Sequence, residues 1–162
     1  MSIKKSFKIV LDSTSLASYS GTKYNANYYV DLSKVIRNRE DYDKSYYVYC
    51  TFISETNTSA TVDIITTILY TVTLKLSNKF NNIYQYTNNN NLYSFVLPIQ
   101  VNPPDDGTGP PHVGFLMQDK DQRPLFIENI NNLTNINLCV LENGAPTTAI
   151  ADYVCVLTFV EC

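Results

Sequence analysis

The chain has 162 residues, 44% of them hydrophobic and 17% charged, and 12 basic against 15 acidic side chains leave a net charge of −3. This length fits one domain with a real core, the apolar content excludes intrinsic disorder, and the charge excludes a surface built wholly for nucleic acid or anionic lipid. Asn (18), Thr (16) and Tyr (13) dominate while there is one His and no Trp, a mixture of strand formers and turn formers that points to an all-β protein with few catalytic options.

In chain order, the N-terminus carries Lys4, Lys5 and Lys8, but Ile9-Val10-Leu11 is cut off by Asp12, too short for the apolar region of a signal peptide. Secretion by that route is not expected. Strand-like runs are predicted at 6–11, 26–32 and 45–54, and the link over 33–44 is expected to hold one short helical turn. The clearest alternation follows: Val62, Ile64, Thr66, Ile68, Tyr70, Val72, Leu74 and Leu76 on one face, with Asp63, Thr67, Thr71, Thr73 and Lys75 on the other. Fifteen residues at about 3.3 Å each would reach roughly 50 Å, so this run is one strongly bent strand or two in succession. It is also too short and too polar for a transmembrane helix.

Further strands are predicted at 83–86, 92–101, 125–130, 136–141 and 152–161. Turn-forming pieces at 14–21, 55–60, 88–91, 131–135 and 142–146 separate them. In 92–101 the odd positions Tyr93, Phe95, Leu97, Ile99 and Val101 are apolar, and in 136–141 the even ones are, giving each strand one inward face. The last strand is apolar on both faces, through Tyr153, Cys155, Leu157 and Phe159 and through Val154, Val156 and Val160. That marks a central strand whose outer side is covered by the N-terminal segment or by a neighbouring subunit. The loop over 102–124 opens with two prolines and contains Asp105, Asp106 and His112; a loop of this length in a small domain is usually an interaction element or a plain surface excursion.

Searching for chemistry gives little. The lone His112 sits in that Pro-rich loop, and no Gly-x-Ser-x-Gly elbow exists to seat a nucleophile. Asp105 and Asp106 lack the spaced carboxylates of a calcium loop, and Gly107-Thr108-Gly109 lacks the Lys-Ser/Thr of a phosphate loop. The cysteines at 50, 139, 155 and 162 include no Cys-x-x-Cys pair, so Cys50, Cys139 and Cys155 read as small buried hydrophobes rather than zinc ligands, with a disulfide as the lesser alternative. The pairs Tyr28-Tyr29 and Tyr46-Tyr47 are potential stacking platforms for nucleic acid, but consecutive strand residues point to opposite faces, so one of each pair belongs to the core and the other to a rim or interface. No catalytic residue, cofactor or metal is expected, nor any direct nucleic-acid contact.

With the spacing of a sandwich, the wording of particular stretches makes the chain resemble the small single jelly-roll capsid proteins of large double-stranded DNA viruses and their virophages. The stretches are YYVDL at 28–32, YYVYCTFIS at 46–54, LFIEN at 125–129, INLCVL at 136–141 and DYVCVLTFVE at 152–161. The resemblance implies an all-β single jelly-roll β-sandwich over 1–162: two facing four-stranded antiparallel sheets, with strands near 26–32, 45–54, 61–69, 70–77, 92–100, 125–130, 135–141 and 152–161. Residues 1–25 would add an N-terminal arm or an extra edge strand at 6–11. It also implies a structural virion protein, a penton or minor capsid subunit of an icosahedral capsid, assembled in the host cytoplasm. Its partners would be the major capsid protein and other minor capsid proteins, with a homopentamer as the simplest self-association. Candidate contacts lie on the loops 55–60, 87–91 and 102–124: Asn57, Asn89, Asn90, Asp105, Asp106 and His112. The alternative from another class is a carbohydrate-binding jelly roll using exposed Tyr rings as sugar platforms.

Overall fold

The computed structural model describes residues 5–56, 70–77, 84–85, 92–99, 124–142, 145–146 and 150–162. Within them the chain forms β1 (Ser6–Asp12), β2 (Tyr19–Thr22), β3 (Asn25–Tyr29), β4 (Ser45–Thr56), β5 (Tyr70–Leu76), β6 (Tyr84–Gln85), β7 (Leu92–Tyr93), β8 (Phe95–Ile99), β9 (Leu125–Glu128), β10 (Asn135–Glu142), β11 (Ala145–Pro146) and β12 (Ile150–Glu161). Short 3₁₀ turns at Leu16–Ser18, Leu32–Lys34, Arg39–Asp43 and Ile130–Asn132 join them. Among the described residues there is no α-helix, and none of the helical turns is long and apolar enough to cross a membrane.

The strands make two antiparallel sheets. One runs β1-β12-β4-β9; the other runs β2-β3-β10-β5-β8, with β11 also paired to β10, and β6 pairs with β7 apart from both. The protein is therefore an all-β sandwich of two sheets. Its strand counts differ from the expected four and four with an added edge strand: β1 is itself one of the four strands of the first sheet, and the second has five along its path. The reason is β2. Residues 14–21 read as turn because Ser, Gly and Thr crowd them, yet Tyr19 pairs with Tyr28 and Thr22 with Asn25 to close a tight hairpin. Gly21 makes that hairpin possible, with φ at +94° and the place a Cβ would take only 2.5 Å from the Asn25 carbonyl oxygen.

Alternation places the core between the sheets. From the first sheet come Leu11, Tyr46, Val48, Cys50, Phe52, Leu125, Ile127, Tyr153, Cys155, Leu157 and Phe159; from the second come Ala26, Tyr28, Val72, Leu74, Leu76, Phe95, Leu97, Ile136, Leu138 and Val140. Each tyrosine pair splits as expected: Tyr28 and Tyr46 are buried while Tyr29 and Tyr47 are exposed. Cys50, Cys139 and Cys155 are buried, with Cys50 Sγ 3.5 Å from Cys155 Sγ, and Cys162 is exposed. Thr71 and Thr73 depart from the expected solvent face, being buried, and the Thr73 hydroxyl donates to the Cys139 carbonyl at 3.2 Å. The link over 33–44 holds two 3₁₀ turns where one was expected; the Asp31 carboxylate accepts the Ser33 N–H at 3.1 Å and starts the first.

A polar chain crosses the core. The Tyr28 hydroxyl donates to the Tyr153 hydroxyl at 3.0 Å, which donates to the Lys23 carbonyl at 2.6 Å. This joins one sheet to the other at a buried point, where each hydroxyl must find a partner. Burial pushes the Tyr28 phenol up to about 12 and raises Tyr153 further.

Candidate functional site

The first sheet presents an outer face with little charge. Registers along β1-β12-β4-β9 align Ser6, Val160, Tyr47 and Phe126 in one row, Lys8, Thr158 and Tyr49 in the next, then Val10, Val156 and Thr51, and last Asp12, Val154 and Ile53. Strand alternation sends these side chains away from the core, because their neighbours Phe159, Val48, Cys155 and Phe52 fill it. Val10 is 58% exposed, Tyr47 39%, Ile53 47%, Phe126 49% and Val154 36%. Tyr47 and Phe126 lie directly opposite across β4 and β9, ring centroids 5.7 Å apart, and support one another as a cross-strand aromatic pair.

The doubly apolar last strand is thus central, as its sequence signals, with β1 on one side and β4 on the other. Its outer cover is not the described part of the N-terminal segment, because β1 lies beside β12 in the ladder rather than over it. The five exposed apolar residues were not singled out from sequence as a set. The signal was present in Val154, Val156 and Val160, but which strands flank them depends on pairings more than 100 residues apart in the chain, such as Val10 with Val156.

One end of the same sheet carries a closed ion-pair ring. Lys5 Nζ lies 3.0 Å from both Asp41 carboxylate oxygens, Lys44 Nζ lies 3.1 Å from Asp41 Oδ1 and 2.7 Å from Glu161 Oε1, and Glu161 Oε2 accepts the Lys5 backbone N–H at 3.4 Å. The Lys5 ammonium holds the Asp41 carboxyl below the usual carboxylate range, Lys44 does the same for Glu161, and Glu161 with Asp41 raises Lys44. The ring fastens the start of β1, the turn at Arg39–Asp43, the start of β4 and the end of β12. It borders an open cleft of about 420 Å³ lined by Phe7, Val35, Ile36, Arg37, Asn38 and Tyr46, among others. The Tyr46 hydroxyl at its base is committed to the Asp41 carbonyl at 2.8 Å. The cleft's carboxylate and nearest lysine are paired with each other, so its chemistry is that of a structural corner.

The candidate contacts Asn57, Asn89, Asn90, Asp105, Asp106 and His112 all lie outside the described residues, as do the loops 57–60, 87–91 and 102–123. Among the described residues no group of three His, Cys, Asp or Glu side chains is placed to hold a metal ion. The surface that does assemble is the outer face of the four-stranded sheet, and flat apolar surface of this kind suits contact with another macromolecule. No known family model matches the chain, and no curated protein matches it in sequence.

Proposed function

We propose that the chain is a structural subunit of an icosahedral double-stranded DNA virus capsid, a minor capsid or penton protein built on a single jelly roll and acting through protein surfaces. The observation that carries this reading is strand order. Numbering β1, β3, β4, β5, β8, β9, β10 and β12 from one to eight, the sheets run 1-8-3-6 and 2-7-4-5, the order produced when two Greek keys wrap into one jelly roll. On this reading β2 extends the second sheet by one edge strand, while β11 and the β6-β7 ribbon are appendages.

The stretches that carry the capsid resemblance fall on or beside β3, β4, β9, β10 and β12, strands of both sheets. A capsid subunit needs adhesive surface more than a pocket, and the outer face with Val10, Tyr47, Ile53, Phe126 and Val154 supplies it. The carbohydrate reading has less support: the most exposed tyrosines among the described residues, Tyr29 and Tyr47, sit on different sheets and do not form one sugar platform.

Quantitative mass spectrometry of purified particles from the encoding source tests the role. The capsid reading expects the chain at a fixed ratio to the most abundant shell protein. Its absence from particles, or a specific glycan affinity lost on changing Tyr47 to Ala, overturns the reading.

A further inference from the structure

We infer that the outer face of the four-stranded sheet is a self-association surface, on which two copies of this chain pack face to face about a two-fold axis running across the strands. The inference stands apart from the capsid reading, since it concerns the isolated chain in solution. Three features of the face support a second copy as its occupant.

The first is size. At their observed exposures the five apolar side chains present on the order of 450 Å², as much as the largest patch on a typical monomer and about half of what a standard interface takes from each partner. The partly buried Tyr49, Val156 and Val160 around them add to this. An area below the standard size suits a weak, reversible pair rather than an obligate dimer.

The second feature is a gradient of side-chain size along the strands. Aromatic rings, Tyr47 and Phe126, occupy the row at one end, and the branched Val154 and Ile53 occupy the row at the other. An in-plane axis perpendicular to the strands reverses the row order, so the aromatic end of each copy meets the low end of the other. Large against small is how facing layers interdigitate at about 10 Å separation.

The third feature is charge. Lys8 and Asp12 stand two positions apart on the outer side of β1, at the edge of the face. The same axis sets β1 against β1 of the second copy with its direction reversed, which brings each Lys8 within one row of the other copy's Asp12 and forms two symmetric pairs at the rim. An axis along the strands would instead set β1 against β9, whose outer side carries Phe126 and the acidic Glu128, and leave Asp12 without a basic partner.

Sedimentation velocity from about 1 to 500 µM, at low salt, reads the association. The wild-type chain is expected to pass from monomer to dimer over this range. Ile53→Lys should remain monomeric throughout, whereas Tyr29→Lys, a more exposed site on the other sheet, should dimerise as wild type does. Lys8→Asp should weaken the dimer about tenfold, and adding Asp12→Lys should recover most of that loss. Circular dichroism confirms that each variant is folded. A wild-type chain that stays monomeric, or that forms only an oligomer of another order, overturns the inference. So does an Ile53→Lys dimer of unchanged affinity, or a charge-reversed double variant no tighter than Lys8→Asp alone.

Discussion

Replacing Tyr153 by Phe removes one oxygen from the middle of the inter-sheet hydrogen-bond chain and nothing else of the side chain. The ring keeps its contact with Phe52, centroids 5.3 Å apart. What is lost is the acceptor of the Tyr28 hydroxyl and the donor to the Lys23 carbonyl, bonds of 3.0 and 2.6 Å. Two net hydrogen bonds at about 1 kcal/mol each, with a stranded hydroxyl on the buried Tyr28, give about 2–3 kcal/mol. Tyr28→Phe removes only a donor, and Tyr153 still reaches Lys23, so it should cost about 0.5–1.5 kcal/mol. The double variant has no stranded hydroxyl and should cost about as much as Tyr153→Phe alone, a non-additive cycle. Urea unfolding followed by circular dichroism at 25 °C, with an unchanged slope, measures all three. The reasoning fails if Tyr28→Phe costs as much as Tyr153→Phe, or if the two losses simply add.

Other consequences can be tested with the same material. Gly21→Ala forces a Cβ to 2.5 Å from the Asn25 carbonyl at a positive φ, so it should destabilise by about 1–3 kcal/mol, a shift in urea midpoint that Ser20→Ala should not reproduce. Asp41 and Glu161 are held below their ordinary values of 3.8 and 4.5 by Lys5 and Lys44. Their stabilising effect is complete above those values and disappears as the pH falls through the lower folded-state values. Unfolding midpoints should therefore drop below about pH 4, and less steeply in an Asp41→Asn variant. In alkali the sign reverses: Tyr28 is raised from 10.0 to about 12, so its contribution is intact below pH 10 and is lost as the pH rises toward 12. Tyr28→Phe should flatten that limb of the pH–stability profile.

The parts of the fold legible in the sequence were those written in period two. Phe95 and Leu97, and Ile136, Leu138 and Val140, face inward as their spacing requires, and Tyr46 and Tyr47 divide between core and surface for the same reason. Period two assigns a face but not a neighbour. The pairing of β1 with β12 joins Phe7 to Phe159, and no local pattern announces it, so the N-terminal strand read as an addition when it is one of the four strands of its sheet. The β2 strand was missed because four residues, Tyr19-Ser20-Gly21-Thr22, owe their extended shape to the β3 edge beside them rather than to their own propensity. As for the site, composition directed attention to Asn- and Pro-rich loops. The apolar outer face emerges only once β1, β12, β4 and β9 are side by side, since each contributes one or two exposed residues that look ordinary alone.

The central claim is that this sandwich is a building block of a capsid. A cryo-electron microscopy reconstruction of particles from the encoding source tests it most directly. The account predicts sandwich density at the five-fold vertices or between the larger capsomers that accepts strands in the order β1-β12-β4-β9 facing β2-β3-β10-β5-β8, with side-chain features matching Tyr46, Phe52, Tyr153 and Phe159. Shell density in which every such sandwich is accounted for by other chains would contradict it.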